Sequence, residues 1–385
     1  MLLAGTVAAL IWANASIASY DSFWATELSI RVGSTGLALD LRGWVNSGLM
    51  TFFFLVMGLE ARREFDMGEL RQRNRLTLPV LAGLGGMIVP VSIFLAFNAG
   101  HANTAHGWGI AMSTDSALAL GMLALVGRHL PDRVHTYLLT FSVVDDLAAL
   151  VVIAVAYSRG VRLDALFTGL GILAVAAGLR IVVNLRFGPA YFLLGLAAWV
   201  AFEKSGVDPI VVGLLLGLLS YASSPARSDL ERATDLFRLF REQPTPELAQ
   251  SVREGVRTAI SPNERLQQLY HPWSSYVIVP LFALANAGVA ISTGLLQRAF
   301  TAPLTLGILV GFVVGKPLGT AGTAWLVTKI TRGRIQPPVG WAAVLGAGTI
   351  AGIGFTVSLL IAALAFHGTL LAEAKLGILS AALCS

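Results

Sequence analysis

Cysteine and charge are what this sequence has least of. Its 385 residues include a single cysteine, Cys384, which excludes a disulfide framework and a cysteine-ligated metal site. The six histidines form no H-E-x-x-H pair, so the helix of a zinc protease is absent. Only 13% of the residues are charged, about half the roughly 25% usual in a soluble domain. That leaves too few charges to cover a water-facing surface. No charged stretch precedes the first apolar run, so no cleavable signal peptide is expected.

Apolar residues fill the gap. They make up 55% of the chain, the mean hydropathy is +0.72, and they fall in blocks such as 76–99, 134–157 and 303–327. A block of about 20 residues crosses a hydrocarbon core of about 30 Å. The reading is an all-α polytopic membrane protein whose solvent is the lipid bilayer. Twelve candidate spans cover 2–18, 44–60, 76–99, 107–127, 134–157, 163–184, 189–203, 206–221, 272–291, 302–327, 340–366 and 370–385.

Lysine and arginine set the orientation. Nineteen lie beside the even-numbered spans' following connections, against seven on the other side (Arg31, Arg42, Arg159, Arg162, Lys204, Arg298 and Lys375). The richer side is cytoplasmic, which puts both termini there. The net charge of +5 is then a topology signal, and nucleic acid is not expected as a partner.

Two connections have patterns of their own. Residues 27–42 alternate Leu28, Ile30, Val32 and Leu37, Leu39, Leu41 around Gly-Ser-Thr-Gly, the signature of a β-hairpin, here outside the cytoplasm. The segment 222–271 holds seven arginines and four prolines. It reads as a mobile cytoplasmic loop with one short amphipathic helix around 229–241.

Four ionisable residues fall near the middle of a span: Asp115, Asp145, Asp146 and Lys316. Each costs about 2.5–3.5 kcal/mol at a helix centre on insertion scales. One acid and one base would suffice to lock two helices together. Three acids against one base leave a negative surplus, which suits a site that admits a cation. Adjacent helical residues point about 100° apart, so Asp145 and Asp146 cannot face one spot. One is expected to face an ion cavity and the other a neighbouring helix, where Lys316 is the available base.

Spans 4 and 11 look broken. The first contains Met112-Ser113-Thr114-Asp115-Ser116, a run of capping residues within apolar surroundings. The second contains Gly346-Ala347-Gly348 and Gly352-Ile353-Gly354. Together they fit paired discontinuous helices, whose freed backbone groups are tolerated where they line a cavity. In that arrangement Asp115 offsets positive helix N-termini and Lys316 negative C-termini.

At these residues the chain resembles the NhaA-type sodium/proton antiporters. The stretches are GLEARREF (58–65), GGMIVP (85–90), STDSALALGMLALVG (113–127), VVDDLAAL (143–150), HPW (271–273), PLFALANAGV (280–289), GKPLG (315–319), GIGFTVSLLIAALAF (352–366) and AKLGIL (374–379). The resemblance implies twelve transmembrane helices in the bacterial cytoplasmic membrane. It implies inverted repeats of helices 3–5 (76–157) and 10–12 (302–385), with intervening helices over 163–291. Helices 4 and 11 would be interrupted and cross at the centre. It further implies exchange of sodium or lithium for protons, electrogenic and pH-regulated, with no cofactor beyond the transported ions. Asp146 would be the principal ion-binding carboxylate and Asp145 its partner, with Thr114 and Asp115 at the crossing and Lys316 the core lysine. Whether Asp145 binds the ion or alternates with a salt bridge to Lys316 is open at this stage. Glu60 and Glu64 match acidic positions tied to pH response, and 27–42 matches the family's homodimer contact. Gln267 and Gln268 stand where familiar bacterial members have an acid and a histidine, which bears on the pH response. His271 is a further pH-response candidate.

The mechanism expected is competition: a hard cation takes oxygens from Asp146, Asp145, Thr114 or the backbone, and protonation releases it. A sodium-coupled organic solute symporter is the rival within transport. An intramembrane aspartyl protease would want Gly-x-Gly-Asp, but Gly352-Ile353-Gly354 is followed by Phe355.

Overall fold

A computed structural model describes all residues except 33–34, 69–72, 127–131, 159, 182–187, 225 and 338. Helix α1 (Leu2–Ala15) stops at Ser16, whose side chain caps α2 (Ile17–Trp24) by accepting from Ser19 N. The chain turns by 119° there, so the first expected span ends earlier than 18. The expected hairpin is present. Strands β1 (Glu27–Val32) and β2 (Thr35–Asp40) pair antiparallel with Glu27 opposite Asp40 and Leu28 opposite Leu39. Its 33–34 turn lies outside the described residues.

The helices continue as α3 (Leu41–Asp66), α4 (Arg73–Phe97), α5 (Ser116–Val126), α6 (Asp132–Ala156), α7 (Leu163–Ile181), α8 (Gly188–Ser205) and α9 (Ile210–Leu219). Among the described residues, five unbroken helices are long and apolar enough to cross a membrane, or seven if each bent pair is one span. Two seams set the packing. Gly58 of α3 meets Gly217 of α9 so closely that a Cβ on Gly217 would sit 2.5 Å from Leu55 O. Gly85 of α4 meets Gly319 in the same manner, a Cβ on Gly319 falling 2.3 Å from Gly85 O. Small residues let membrane helices approach where no hydrophobic force drives them together.

The segment 222–271 contains the helix expected around 229–241, but the rest of it is not the loop expected. It forms α10 (Arg227–Glu242), α11 (Pro246–Ala259) and α12 (Pro262–Trp273). Its prolines begin helices instead of breaking them. Pro246 and Pro262 each occupy the first helical position, where no N–H is needed. Thr245 Oγ1 accepts from Leu248 N, and Ser261 Oγ accepts from Glu264 N and lies 3.2 Å from Glu264 Oε2, to which it donates. Asn263, fully buried, donates to Leu59 O and Ser220 O, tying α12 to α3 and to the end of α9. Helix α12 runs on through a π-helical turn, Ser274–Ile278, into α13 (Val279–Asn286).

The last part comprises α14 (Thr293–Ala299), α15 (Pro303–Ile330), α16 (Trp341–Ala351), α17 (Thr356–Ala365) and α18 (Gly368–Cys384). Within α15 a π-helical stretch, Gly311–Gly315, precedes Lys316. Pro317 has no N–H and crowds the carbonyl four residues back. The wider π turn accommodates it, and such turns recur at functional sites.

Candidate functional site

Two helical interruptions meet in the interior. The 3₁₀ segment His106–Met112 gives way to extended backbone at Ser113, and α5 starts only at Ser116. Between α16 and α17 the chain is non-helical over 352–355 and bends by 43°. The expected breaks in spans 4 and 11 are thus both present. Buried backbone groups released by a break need partners, and each break supplies the other's. Asp115 N donates to Ile353 O at 2.8 Å, and Thr114 Oγ1 donates to Ala351 O at 3.0 Å. Ser113 and Ser358 hydroxyls lie 2.8 Å apart, and Ser358 Oγ donates to Ile110 O.

Asp115 joins the two helix starts. Its Oδ1 accepts from Leu118 N in α5 and its Oδ2 from Thr356 N at the head of α17, both at 3.0 Å. One carboxylate therefore faces the positive ends of two helices, where negative charge is favoured. Lys316 faces the opposite kind of end. Its Nζ donates to Met112 O, the last residue of the 3₁₀ segment, to Thr114 Oγ1 at 2.9 Å and to Asp145 Oδ2 at 2.7 Å. The Phe141 ring lies beneath it at 5.9 Å.

Asp145 and Asp146 divide as their 100° separation requires. Asp145 is salt-bridged to Lys316, with both partners wholly buried. Asp146 is 4% exposed, and its Oδ2 has no hydrogen-bond partner among the described residues. Asp145 Oδ1 is in the same position. Among the described residues no group of three or more His, Cys, Asp or Glu side chains is close enough to hold a metal ion. A cation at this place would therefore complete its shell with hydroxyls, main-chain carbonyls or water.

The structure brings together Thr114, Asp115, Asp145, Asp146 and Lys316. Glu60 and Glu64 lie a turn apart on α3, with Glu60 on the side of the cluster. Met57, one turn before Glu60, touches Ser116 at 3.9 Å through its sulfur, and Glu60 is within electrostatic reach of Asp146. His271 is not brought in: it is exposed on α12. Lys375 also differs from expectation. Counted with the connections for orientation although it falls within the expected span 370–385, it is buried in α18 and donates to Gly288 O at 3.0 Å, so Lys316 is not the only interior base. Ser358 and Thr356 were missed as members of the crossing. Their signal was their place just after the Gly-Ile-Gly break.

Comparison with known proteins places the chain. The profile of the Na+/H+ antiporter 1 family matches residues 1–385. The Na(+)/H(+) antiporter NhaA 1 of Salinispora arenicola (strain CNS-205) is 58% identical over 381 residues, 99% of this chain and 58% of that protein. The Na(+)/H(+) antiporter NhaA 3 of Frankia alni (strain DSM 45986 / CECT 9034 / ACN14a) is 40% identical, covering 100% of this chain and 83% of its own length. The solved structure of the sodium proton antiporter MjNhaP1 from Methanocaldococcus jannaschii shares the fold, with a TM-score of 0.53 at 15% identity over 100% of this chain and 92% of that one. This chain spans about three fifths of the length of the first relatives it matches. It belongs to the Na+/H+ antiporter 1 family, and with several apolar helices it is a multi-pass membrane protein.

Proposed function

We propose that this member of the family exchanges sodium or lithium for protons across the membrane, as a secondary transporter and not an enzyme. The observation that carries the reading is the buried Lys316–Asp145 pair beside an Asp146 whose Oδ2 lacks a partner among the described residues. A carboxylate oxygen in low dielectric without a donor is costly. Either a proton or an alkali cation relieves that cost, and the two exclude each other. In the cation-free state Lys316 holds Asp145. An arriving cation competes with the ammonium for Asp145 while binding Asp146. Proton binding then expels the cation, and alternation of the cluster between the two sides couples the fluxes. The Lys316 charge makes the exchange electrogenic.

The finer architecture belongs to the same proposal. Twelve helices would include inverted repeats over 76–157 and 302–385 with the broken segments crossed at their centre. The chain would lie in a bacterial cytoplasmic membrane with both termini inside. The hairpin would form a homodimer contact, supported by its exposed Leu28 and Ile30. Glu60, Glu64 and, more remotely, His271 would shape the pH response.

Sodium-dependent pH change in proteoliposomes, with and without a membrane potential, tests the exchange. The expected result is sodium-driven proton movement that responds to voltage and is abolished by Asp146→Asn. Full activity in that variant refutes the assignment. Sodium uptake that needs an organic solute and moves no protons would replace it with symport.

A further inference from the structure

Helix α6 carries a third orphaned oxygen next to the aspartate pair. Ser142 is 2% exposed, and its Oγ has no hydrogen-bond partner among the described residues. This is not the habit of hydroxyls on this helix. Thr140 Oγ1 bonds back to Thr136 O at 2.9 Å, the usual solution in a helix interior. Tyr137 OH is also unpartnered among the described residues, but its side chain packs in the apolar cluster with Leu78, Phe141 and Val344.

The helix places Ser142 where the carboxylates converge. At about 100° per residue it lies about 60° around the axis from Asp145 and about 40° from Asp146, between the two. Residues three and four apart are neighbours, about 5–6 Å between Cβ atoms. Side chains also lean toward the helix N-terminus, so both aspartates incline toward Ser142. Ser142 Oγ, Asp145 Oδ1 and Asp146 Oδ2 therefore share one buried face of α6, each without a partner among the described residues. Three unsatisfied oxygens on one face call for a common occupant.

We propose that Ser142 is a further ligand residue, supplying a neutral oxygen to the alkali cation held by Asp145 and Asp146. This rests on the exchange reading above and deepens it. A hydroxyl suits both states of the site. With a cation bound, its lone pairs face the ion. With Asp146 protonated, it accepts the hydrogen bond that the new O–H must donate. It adds coordination without adding charge, which a site already rich in acids needs. Lithium, the smaller ion, is satisfied by fewer oxygens and depends on this ligand less than sodium does.

The test compares the full chain with Ser142→Ala and Ser142→Thr in proteoliposomes, using sodium and lithium separately. In Ser142→Ala the apparent KM for sodium should rise about tenfold, which is about 1.4 kcal/mol. The lithium KM should rise less, and Ser142→Thr should stay near the starting protein. A second readout needs no transport: the rise in Tm of the detergent-solubilised protein on adding sodium should be reduced in Ser142→Ala alone. If the unaltered chain exchanges nothing, the exchange reading fails while the sodium-induced Tm shift still tests Ser142. An unchanged sodium KM and an unchanged shift in Ser142→Ala overturn the proposal. So does a lower sodium-free Tm with sodium affinity intact, which makes the serine structural.

Discussion

Lys316 Nζ lies 2.7 Å from Asp145 Oδ2 with neither side chain exposed, and the two residues are 171 positions apart in the chain. Removing one partner of such a pair strands the other charge, at a cost of about 3–5 kcal/mol. Lys316→Ala should lower the Tm of the purified protein by that measure. The double variant Lys316→Ala with Asp145→Ala should recover most of it. A double variant no more stable than the single one would mean that the pair does not hold the core.

The neighbouring aspartates should separate stability from transport. Asp145→Asn loses an ammonium partner and should destabilise the fold. Asp146→Asn removes a carboxylate whose Oδ2 accepts nothing among the described residues, so its Tm should change by less than about 1 kcal/mol equivalent while exchange is lost. Thermal unfolding and proteoliposome flux on the same preparations check both halves.

Asp115 accepts two main-chain N–H groups from different helices. Asp115→Ala leaves both buried donors unpaired, at about 1–3 kcal/mol each. Hydrogen exchange should accelerate at the Leu118 and Thr356 amides together. Acceleration at only one of them would show that the carboxylate does not bridge the crossing.

Two glycines on α15 make a controlled pair. Gly319→Ala would set a Cβ 2.3 Å from Gly85 O and should cost about 1–3 kcal/mol by overpacking. A Cβ at Gly322 meets nothing within 4 Å, so Gly322→Ala should be neutral or stabilise by about 0.5–1 kcal/mol. Equal effects on Tm would remove the close seam from the account.

Competition for one site fixes a sign for the pH dependence. Protons displace sodium, so the apparent KM for sodium should fall as pH rises through the titration of the cluster. One competing proton gives a slope of about tenfold per pH unit, and a coupled cluster reports the titration of the group and not of one residue. Sodium KM measured across pH in proteoliposomes checks it; a KM independent of pH would separate the two binding events.

The residues that meet at the candidate site were largely readable, and the reasons are local. A bilayer demands apolar runs of set length and makes an interior charge conspicuous, so helix positions and the quartet Asp115, Asp145, Asp146 and Lys316 stood out. Capping residues and paired glycines marked the two breaks. The helix around 229–241 was read, but the two after it, over 246–273, were not, although Thr245-Pro246 and Ser261-Pro262 mark their starts and proline opens a helix there. Lys375 was overlooked because nothing near it in sequence announces the Gly288 carbonyl it meets.

What the sequence by itself determined is the kind of protein: a helical membrane chain with more acids than bases stranded in apolar segments. What only the tertiary structure decided is the pairing. Lys316 goes to Asp145 and leaves Asp146 Oδ2 without a donor among the described residues, and one Asp115 carboxylate caps two helices whose starts are some 240 residues apart. Hydrophobicity and capping act between neighbours along the chain, so they leave a trace in its order. Which buried charge finds which partner depends on how distant helices pack, and low-dielectric electrostatics rewards only the partner that packing brings within reach.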